Sequence, residues 1–321
     1  MTSSVASVKH WAKWPVEQTL QYTERVLLKR NQLPPPYPPI FILGPPRSGT
    51  TLLLQALLQS YQCCYFSNFI SRFPSSPVLV GWLAKLLQGG RGATDFSSYY
   101  GRTRHWDEPY DGTKIWLRWF PYEPVYSPRG SLAEKEIQQI QATVSLLERV
   151  FDAPFVNKAQ RNNGRILELD RAFPNSIFLR IRREHERVAE SVLHALEHEM
   201  KGHDIWFSLR PSNHQNITTT DPLEHVCEEI FYTDCDIDRD LAAIGSHRCL
   251  EITYTDLCKE PNAVMRACAD FYHTHSGIEL THRGGIPQSF TPSANTYLDS
   301  ERRERIRDHL QLLSRSGQNT E

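Results

Sequence analysis

Gly44-Pro45-Pro46-Arg47-Ser48-Gly49-Thr50-Thr51 has the make-up of a loop that cradles a phosphate. Its glycines free the backbone for a tight turn, and the amides of such a turn and of a following helix start hold anions. The spacing is that of a P-loop, Gly-x-x-x-x-Gly followed by two small residues, yet Thr50 stands where a nucleoside triphosphatase has its lysine. That lysine serves the β- and γ-phosphates, and the cation inside this loop is Arg47 instead. The phosphate pattern is intact, and the triphosphate pattern is not. Further cations close two apolar runs: Lys158 follows Phe155-Val156-Asn157, and Arg182-Arg183 follow Ile177 to Ile181. Ser191 comes eight residues after Arg183, about two turns into the helix expected there. An arginine at a strand end and a serine on the next helix can together grip a second phosphate. Without the loop, such an arginine would read as a surface cap of the sheet.

These residues work only if a strand ends at Gly44 and a helix begins at Gly49. Ile40 to Leu43 supplies the strand, and Leu52, Leu53, Ala56 and Leu57 give the helix its apolar face. Upstream, residues 11 to 33 predict an amphipathic helix that ends before Pro34-Pro35-Pro36-Tyr37-Pro38-Pro39, a stiff lead-in to the strand. The chain therefore divides into an N-terminal helix and proline-rich segment, 1–39, and one α/β domain, 40–321. Within the latter, about 67 to 130 is irregular and rich in Pro, Gly and aromatic residues, with a short helix at Val78 to Leu87 and a flexible Gly89-Gly90-Arg91-Gly92. Long irregular segments inside a domain are usually functional. Trp106, Trp116, Trp119, Phe120, Tyr122 and Tyr126 crowd this one, as satellite core or as the wall of a substrate pocket.

Ser131-Leu-Ala-Glu134 reads as a capping box opening a helix through Val150. Strands at 155–157 and 177–181 alternate with helices to about Ala172 and from about Glu184 to Glu199. A polar loop, Lys201 to Thr220, is placed over the site. Asp221-Pro222 caps a helix to about Ile244, Cys249 to Thr253 is a strand, and helices run from Pro261 to about His275 and from Asp299 to Leu313. The βαβ alternation predicts a three-layer P-loop-type α/β domain, a central parallel sheet flanked by helices.

The 36 basic and 37 acidic residues nearly cancel, which argues against a nucleic-acid partner or an acidic tail. Seven cysteines without a C-x-x-C read mostly as reduced thiols, a Cys227/Cys235 disulfide being the alternative in an exported chain. No apolar run of signal-peptide type occurs in the first thirty residues, and Lys85 interrupts Val78 to Leu87. The expectation is a soluble cytoplasmic protein, not an integral membrane one. Oligomeric state leaves no mark in the sequence.

Taken together, Pro-Pro-Arg47-Ser-Gly-Thr-Thr-Leu-Leu and Phe173-Pro-Asn-Ser-Ile-Phe-Leu-Arg-Ile-Arg-Arg183 with Ser191 resemble the two signatures of sulfotransferases that use 3′-phosphoadenosine-5′-phosphosulfate (PAPS). Asn157-Lys158 and Phe-Pro-Asn-Ser are similar to the tyrosylprotein sulfotransferases and related bacterial families. Tyr254-Thr-Asp-Leu257, followed by Pro261, is like the family's Tyr-x-x-Leu segment. The resemblance implies that Gly44, Pro46, Arg47, Ser48, Gly49, Thr50 and Thr51 hold the 5′-phosphosulfate, and that Arg183 and Ser191 hold the 3′-phosphate. It places Tyr254 near the base and turns Arg47 and Lys158 toward the transferring sulfuryl group. It implies PAPS as co-substrate, adenosine 3′,5′-bisphosphate (PAP) as product and no metal, with a small-molecule, sugar, lipid or peptide acceptor. Two departures stand out. Glu184-His185 follow Arg183 where the family often has Asp or Asn, and Arg182 leaves the arginine ambiguous by one residue, although the eight-residue step to Ser191 favours Arg183. The acidic base of the tyrosylprotein enzymes has no counterpart in Tyr65-Phe-Ser-Asn68-Phe-Ile, which makes peptidyl tyrosine an unexpected acceptor.

The acceptor still needs a proton acceptor within hydrogen-bond reach. The candidates lie in Arg104-His105-Trp106-Asp107-Glu108-Pro-Tyr-Asp111, with His105 suited to neutral pH and Asp107 or Glu108 beside it. Competing readings remain. His194-Ala-Leu-Glu197-His198, with His203 beyond, spells a zinc-binding H-x-x-E-H. Ile166-Leu-Glu-Leu-Asp170 could end in the magnesium-binding aspartate of a P-loop kinase, and a nucleotide-binding module without catalysis is a third possibility.

Overall fold

Every residue of strand β1 (Ile40–Leu43) is buried, as a parallel sheet covered on both faces demands. In the computed structural model, the described residues are 4–87, 96, 103, 105–198, 206–207, 209–292 and 297–317. Strands β2 (Val156–Asn157), β3 (Ile177–Arg182) and β4 (Cys249–Thr253) complete a four-stranded parallel sheet in the order β2-β1-β3-β4. Ile40 lies opposite Val156 on one side and Ile177 on the other, and Phe178 lies opposite Cys249. Helix α1 (Ser4–Arg30) precedes the sheet, α2 (Thr50–Ser60), α3 (Pro77–Leu87), α4 (Thr113–Trp116), α5 (Glu134–Phe151), α6 (Ile166–Ala172), α7 (His185–His198) and α8 (Pro222–Ile244) lie in the connections between strands, and α9 (Tyr254–Lys259), α10 (Pro261–Ser276) and α11 (Ser300–Gly317) follow β4.

The period-two alternation of strand side chains sorts the core into two layers. Phe41, Leu43 and Phe178 pack with Ile140, Leu147, Leu169 and Ile237 from α5, α6 and α8. On the other face Ile42, Leu179 and Ile181 pack with Leu53 and Leu57 of α2 and Met265 and Tyr272 of α10. A third cluster, including Val192, Ile230 and Leu310, joins α7, α8 and α11. This is the three-layer α/β architecture the alternation predicts.

Several local expectations change. Helix α5 starts at Glu134 itself, and the residue ahead of it, Ala133, has its N–H held by the Glu136 carboxylate at 2.8 Å, so the reciprocal box at Ser131 does not form. The run after Lys158 is not one helix: a 3-10 turn over Gln160–Gly164 precedes α6. Helix α1 reaches back to Ser4 and contains Pro15. Its Glu24 carboxylate accepts the Val78 and Leu79 N–H groups at 2.9 and 3.0 Å, satisfying the start of α3. Of the aromatic cluster, Trp116, Trp119 and Phe120 are buried core, whereas Trp106 and Tyr122 are exposed. All seven cysteines are free. Cys227 and Cys235 share α8, about 12 Å apart along its axis, too far for a disulfide. The Gly89–Gly92 stretch, Arg104, residues 201–205 with His203, and residue 208 lie outside the described residues. Among those described, no helix is long and apolar enough to cross a membrane.

Candidate active site

The loop leaves β1 at Gly44, where φ is +148° and a Cβ would lie 2.7 Å from the Ile181 carbonyl oxygen. At Gly49, φ is +104° and a Cβ would meet the Tyr254 ring at 2.5 Å. Glycine is required at both, by conformation and by contact. Arg47 between them also adopts a positive φ, +66°, which for a side-chain-bearing residue costs on the order of 1 kcal/mol. Ser48, fully buried, donates its hydroxyl to the Pro45 carbonyl at 2.7 Å. Helix α2 then begins at Thr50, so its first N–H groups and positive dipole end face the loop.

The loop is held from β2's side as well. Asn163, buried on the 3-10 turn, accepts the Gly44 N–H at 3.1 Å and donates to the Gly44 carbonyl at 2.8 Å. Gln160 of the same turn donates to Thr50 Oγ1 at 3.2 Å. Both residues escaped the sequence reading. The Asn162-Asn163-Gly164 turn signal was visible, but its partner lies 119 residues away.

Strand β3 and helix α7 bring in the second cation. Arg183 donates from Nη1 to the Arg47 carbonyl at 2.9 Å and stacks 4.4 Å over the Tyr254 ring. Arg47 Nε donates to Ser191 Oγ at 3.0 Å. Arg182 turns the opposite way, to Glu251 at 2.8 Å and Asp238 at 2.9 Å. Of the two arginines, Arg183 is therefore the one at the loop. Burial lowers its pKa, Tyr254 opposing and Arg47 adding to the shift.

Lys158 follows β2 directly and is only 8% exposed. Burial pulls its pKa below the ordinary lysine value, Asp111 pulls it back up, and Arg47 pushes it down. Asp111 is fixed by Thr113, which donates N–H and hydroxyl to its two carboxylate oxygens at 2.9 and 2.8 Å. The Asp111 carbonyl accepts from Asn157 Nδ2 at 3.1 Å, and Asn157 Oδ1 accepts from Trp116 Nε1 and Asn162 Nδ2. Asp111 is thus the residue of the 105–111 string that bears on Lys158. His105 is exposed on that string, and its N–H donates to the Glu108 carboxylate at 2.8 Å. The Asp107 carbonyl accepts from Tyr65 Oη at 2.8 Å and the Glu108 carbonyl from Asn68 N at 2.9 Å, so the string packs on residues 65–68.

The competing motifs are otherwise engaged. Asp170 sits on α6, not at a strand end, and pairs with Arg129 and Arg248. Glu197 pairs with Arg302, and His194 stacks on Tyr297 at 4.0 Å. The site is thus a glycine-turned loop at a helix start, with Arg47, Lys158 and Arg183 converging from three parallel strand ends, where open α/β sheets bind ligands.

The profile of the family described as "Sulfotransferase family" matches residues 38–275, from the lead-in to β1 through α10. The chain belongs to the sulfotransferase family. The match contains Gly44 to Thr51, Lys158, Arg183, Ser191 and Tyr254. No curated protein sequence matches. Among solved structures, sulfotransferase STF1 from Mycobacterium tuberculosis H37Rv superposes with a TM-score of 0.55 at 14% identity, covering 91% of this chain and 81% of that one. Sulfotransferase STF9 from Mycobacterium avium gives 0.50 at 16% identity, covering 87% of this chain and 69% of that one. At such identities the likeness is one of fold.

Proposed function

We propose that this sulfotransferase moves a sulfuryl group from PAPS to a hydroxyl or amine of its acceptor by in-line displacement, releasing PAP. The observation that carries the reading is the coupling of two cationic groups at one loop: Arg183 on the Arg47 carbonyl, and Arg47 on Ser191. A nucleotide with phosphate at both its 5′ and 3′ positions needs two such grips, whereas a triphosphate needs the lysine that Thr50 replaces.

In this reading Gly44, Pro46, Arg47, Ser48, Gly49, Thr50 and Thr51 hold the 5′-phosphosulfate, and Arg183 and Ser191 the 3′-phosphate. The base lies near Tyr254. The acceptor oxygen or nitrogen bonds to sulfur as the bond from sulfur to the phosphate oxygen breaks, and the acceptor's proton passes to a group of the 105–111 string, His105 or Glu108. Arg47 and Lys158 stabilise negative charge on the equatorial and leaving oxygens, fixed charges in a partly desolvated site being worth more than in water. Arg47 and Lys158 supply this charge without a metal. Asp111 holds Lys158 charged against its burial.

The test is transfer from sulfur-labelled PAPS across phenols, sugars, lipids and peptides. Label is expected in one acceptor class. Transfer of γ-phosphate label from ATP with none from PAPS would overturn the proposal.

A further inference from the structure

A groove of about 650 Å³ lies between α1, the start of α5 and the turn after α4, apart from the loop of β1. Arg25 and Lys29 line one wall from α1, one helical turn apart, and Arg118 and Lys135 line the other. No carboxylate is among the described lining residues. Glu24, which sits beside Arg118, is buried with both oxygens spent on the Val78 and Leu79 N–H groups. The remaining polar lining includes the amides of Gln21 and Gln139.

Arg118 is held in place rather than waving in solvent. Its guanidinium stacks 4.7 Å over Trp119, whose indole N–H is anchored on Gln139 Oε1 at 3.2 Å. Nη1 is buried with no hydrogen-bond partner. Burial lowers the Arg118 pKa, Glu24 opposes, and Arg25 lowers it further, so like charges act on one another across the groove. In a chain whose basic and acidic residues nearly balance overall, four cations on one groove with a partly desolvated guanidinium favour a multiply charged anion, which relieves their repulsion.

We infer that this groove is a second anion site, taking a compact polyanion with at least two phosphate or sulfate groups, one to each wall. Such a volume is that of an ordinary small-ligand pocket. Its occupancy does not depend on what binds at Gly44 to Thr51.

Calorimetric titration with inorganic pyrophosphate tests this on the wild type, on Arg47→Ala, and on Arg25→Gln/Lys29→Gln/Lys135→Gln, the groove substitutions being made in the Arg47→Ala background because the loop of β1 is itself read as holding a phosphosulfate. Pyrophosphate binding should persist in Arg47→Ala and fall at least tenfold in the triple variant. Inorganic phosphate, with one charged group, should bind at least tenfold more weakly than pyrophosphate. Should the triple variant not fold, the single variants Lys29→Gln and Lys135→Gln, each expected to weaken binding at least threefold, carry the test. Wild-type affinity in the groove variants, loss of all binding in Arg47→Ala, or equal affinity for phosphate and pyrophosphate would each overturn the inference.

Discussion

Arg183 bonds the Arg47 carbonyl and stacks on Tyr254, and under the proposed function it also grips the 3′-phosphate beside Ser191. Arg183→Ala should weaken PAP binding by roughly 2 to 4 kcal/mol, the cost of losing a charged, partly desolvated contact; titration calorimetry on wild type and variant reads it. Lys158 makes a pH prediction. Its pKa lies below the usual 10.5 because of burial, so its charge is complete below the lowered value and is lost as pH rises through it. Transfer rate should therefore decline with rising pH before an ordinary lysine would titrate, and Lys158→Arg, charged throughout, should shift that decline upward. Arg165 is fully buried over Phe120, its three guanidinium nitrogens lack hydrogen-bond partners, and burial brings its pKa down to about 9. Only Asp111 acts to keep this charge against its burial, and replacing buried ionic groups by well-packed apolar side chains is often neutral or stabilising in other systems. Arg165→Met should accordingly keep or raise the melting temperature, and a lower one would show that its charge is compensated after all.

At the scale of elements, the 3-10 turn that carries Gln160 and Asn163 ties the loop after β1 to the strand end that bears Lys158. Asn163→Ala leaves both Gly44 backbone groups without that partner and should cost about 1 to 3 kcal/mol of stability, read by denaturant titration, and should weaken PAP binding too. Asn163→Asp keeps the acceptor for the Gly44 N–H but loses the donor to its carbonyl, so it should recover only part of the loss. The strand, loop and helix of residues 40–60 were legible because each signal is local: an apolar run, glycine spacing and a helical face. The clamp was not, because nothing near Asn163 in sequence names Gly44 as its partner. The start of α5 was misplaced for a similar reason: Ser131 and Glu134 have the right spacing, but Glu136 reaches back to Ala133. The string 105–111 was marked as a source of acids and bases. Its register was not legible, since only packing shows Asp111, held by Thr113, bearing on Lys158.

Across the whole molecule, two apolar layers enclose the sheet, and the carboxylate of Glu148 on α5 is fully buried. Burial raises its pKa to about 8 although the Phe155 and Tyr37 N–H groups act the other way. The folded protein thus keeps a proton that the unfolded chain releases from about pH 4.5 upward, so stability should fall as pH rises between those values, with a slope of at most about 1.4 kcal/mol per unit. In Glu148→Gln that slope should vanish. The alternation of strands and helices made the architecture legible from sequence, while the fate of the aromatic cluster was decided by packing: Trp116, Trp119 and Phe120 went to the core. The sulfotransferase family follows from the match over residues 38–275, and the donor is the central claim that rests on the site. The most direct measurement is calorimetric titration with PAP in the absence of metal, set beside ATP with magnesium. Tight metal-free binding of PAP that Arg183→Ala weakens is the predicted result; binding of ATP alone, or PAP affinity unchanged in Arg183→Ala, would contradict it.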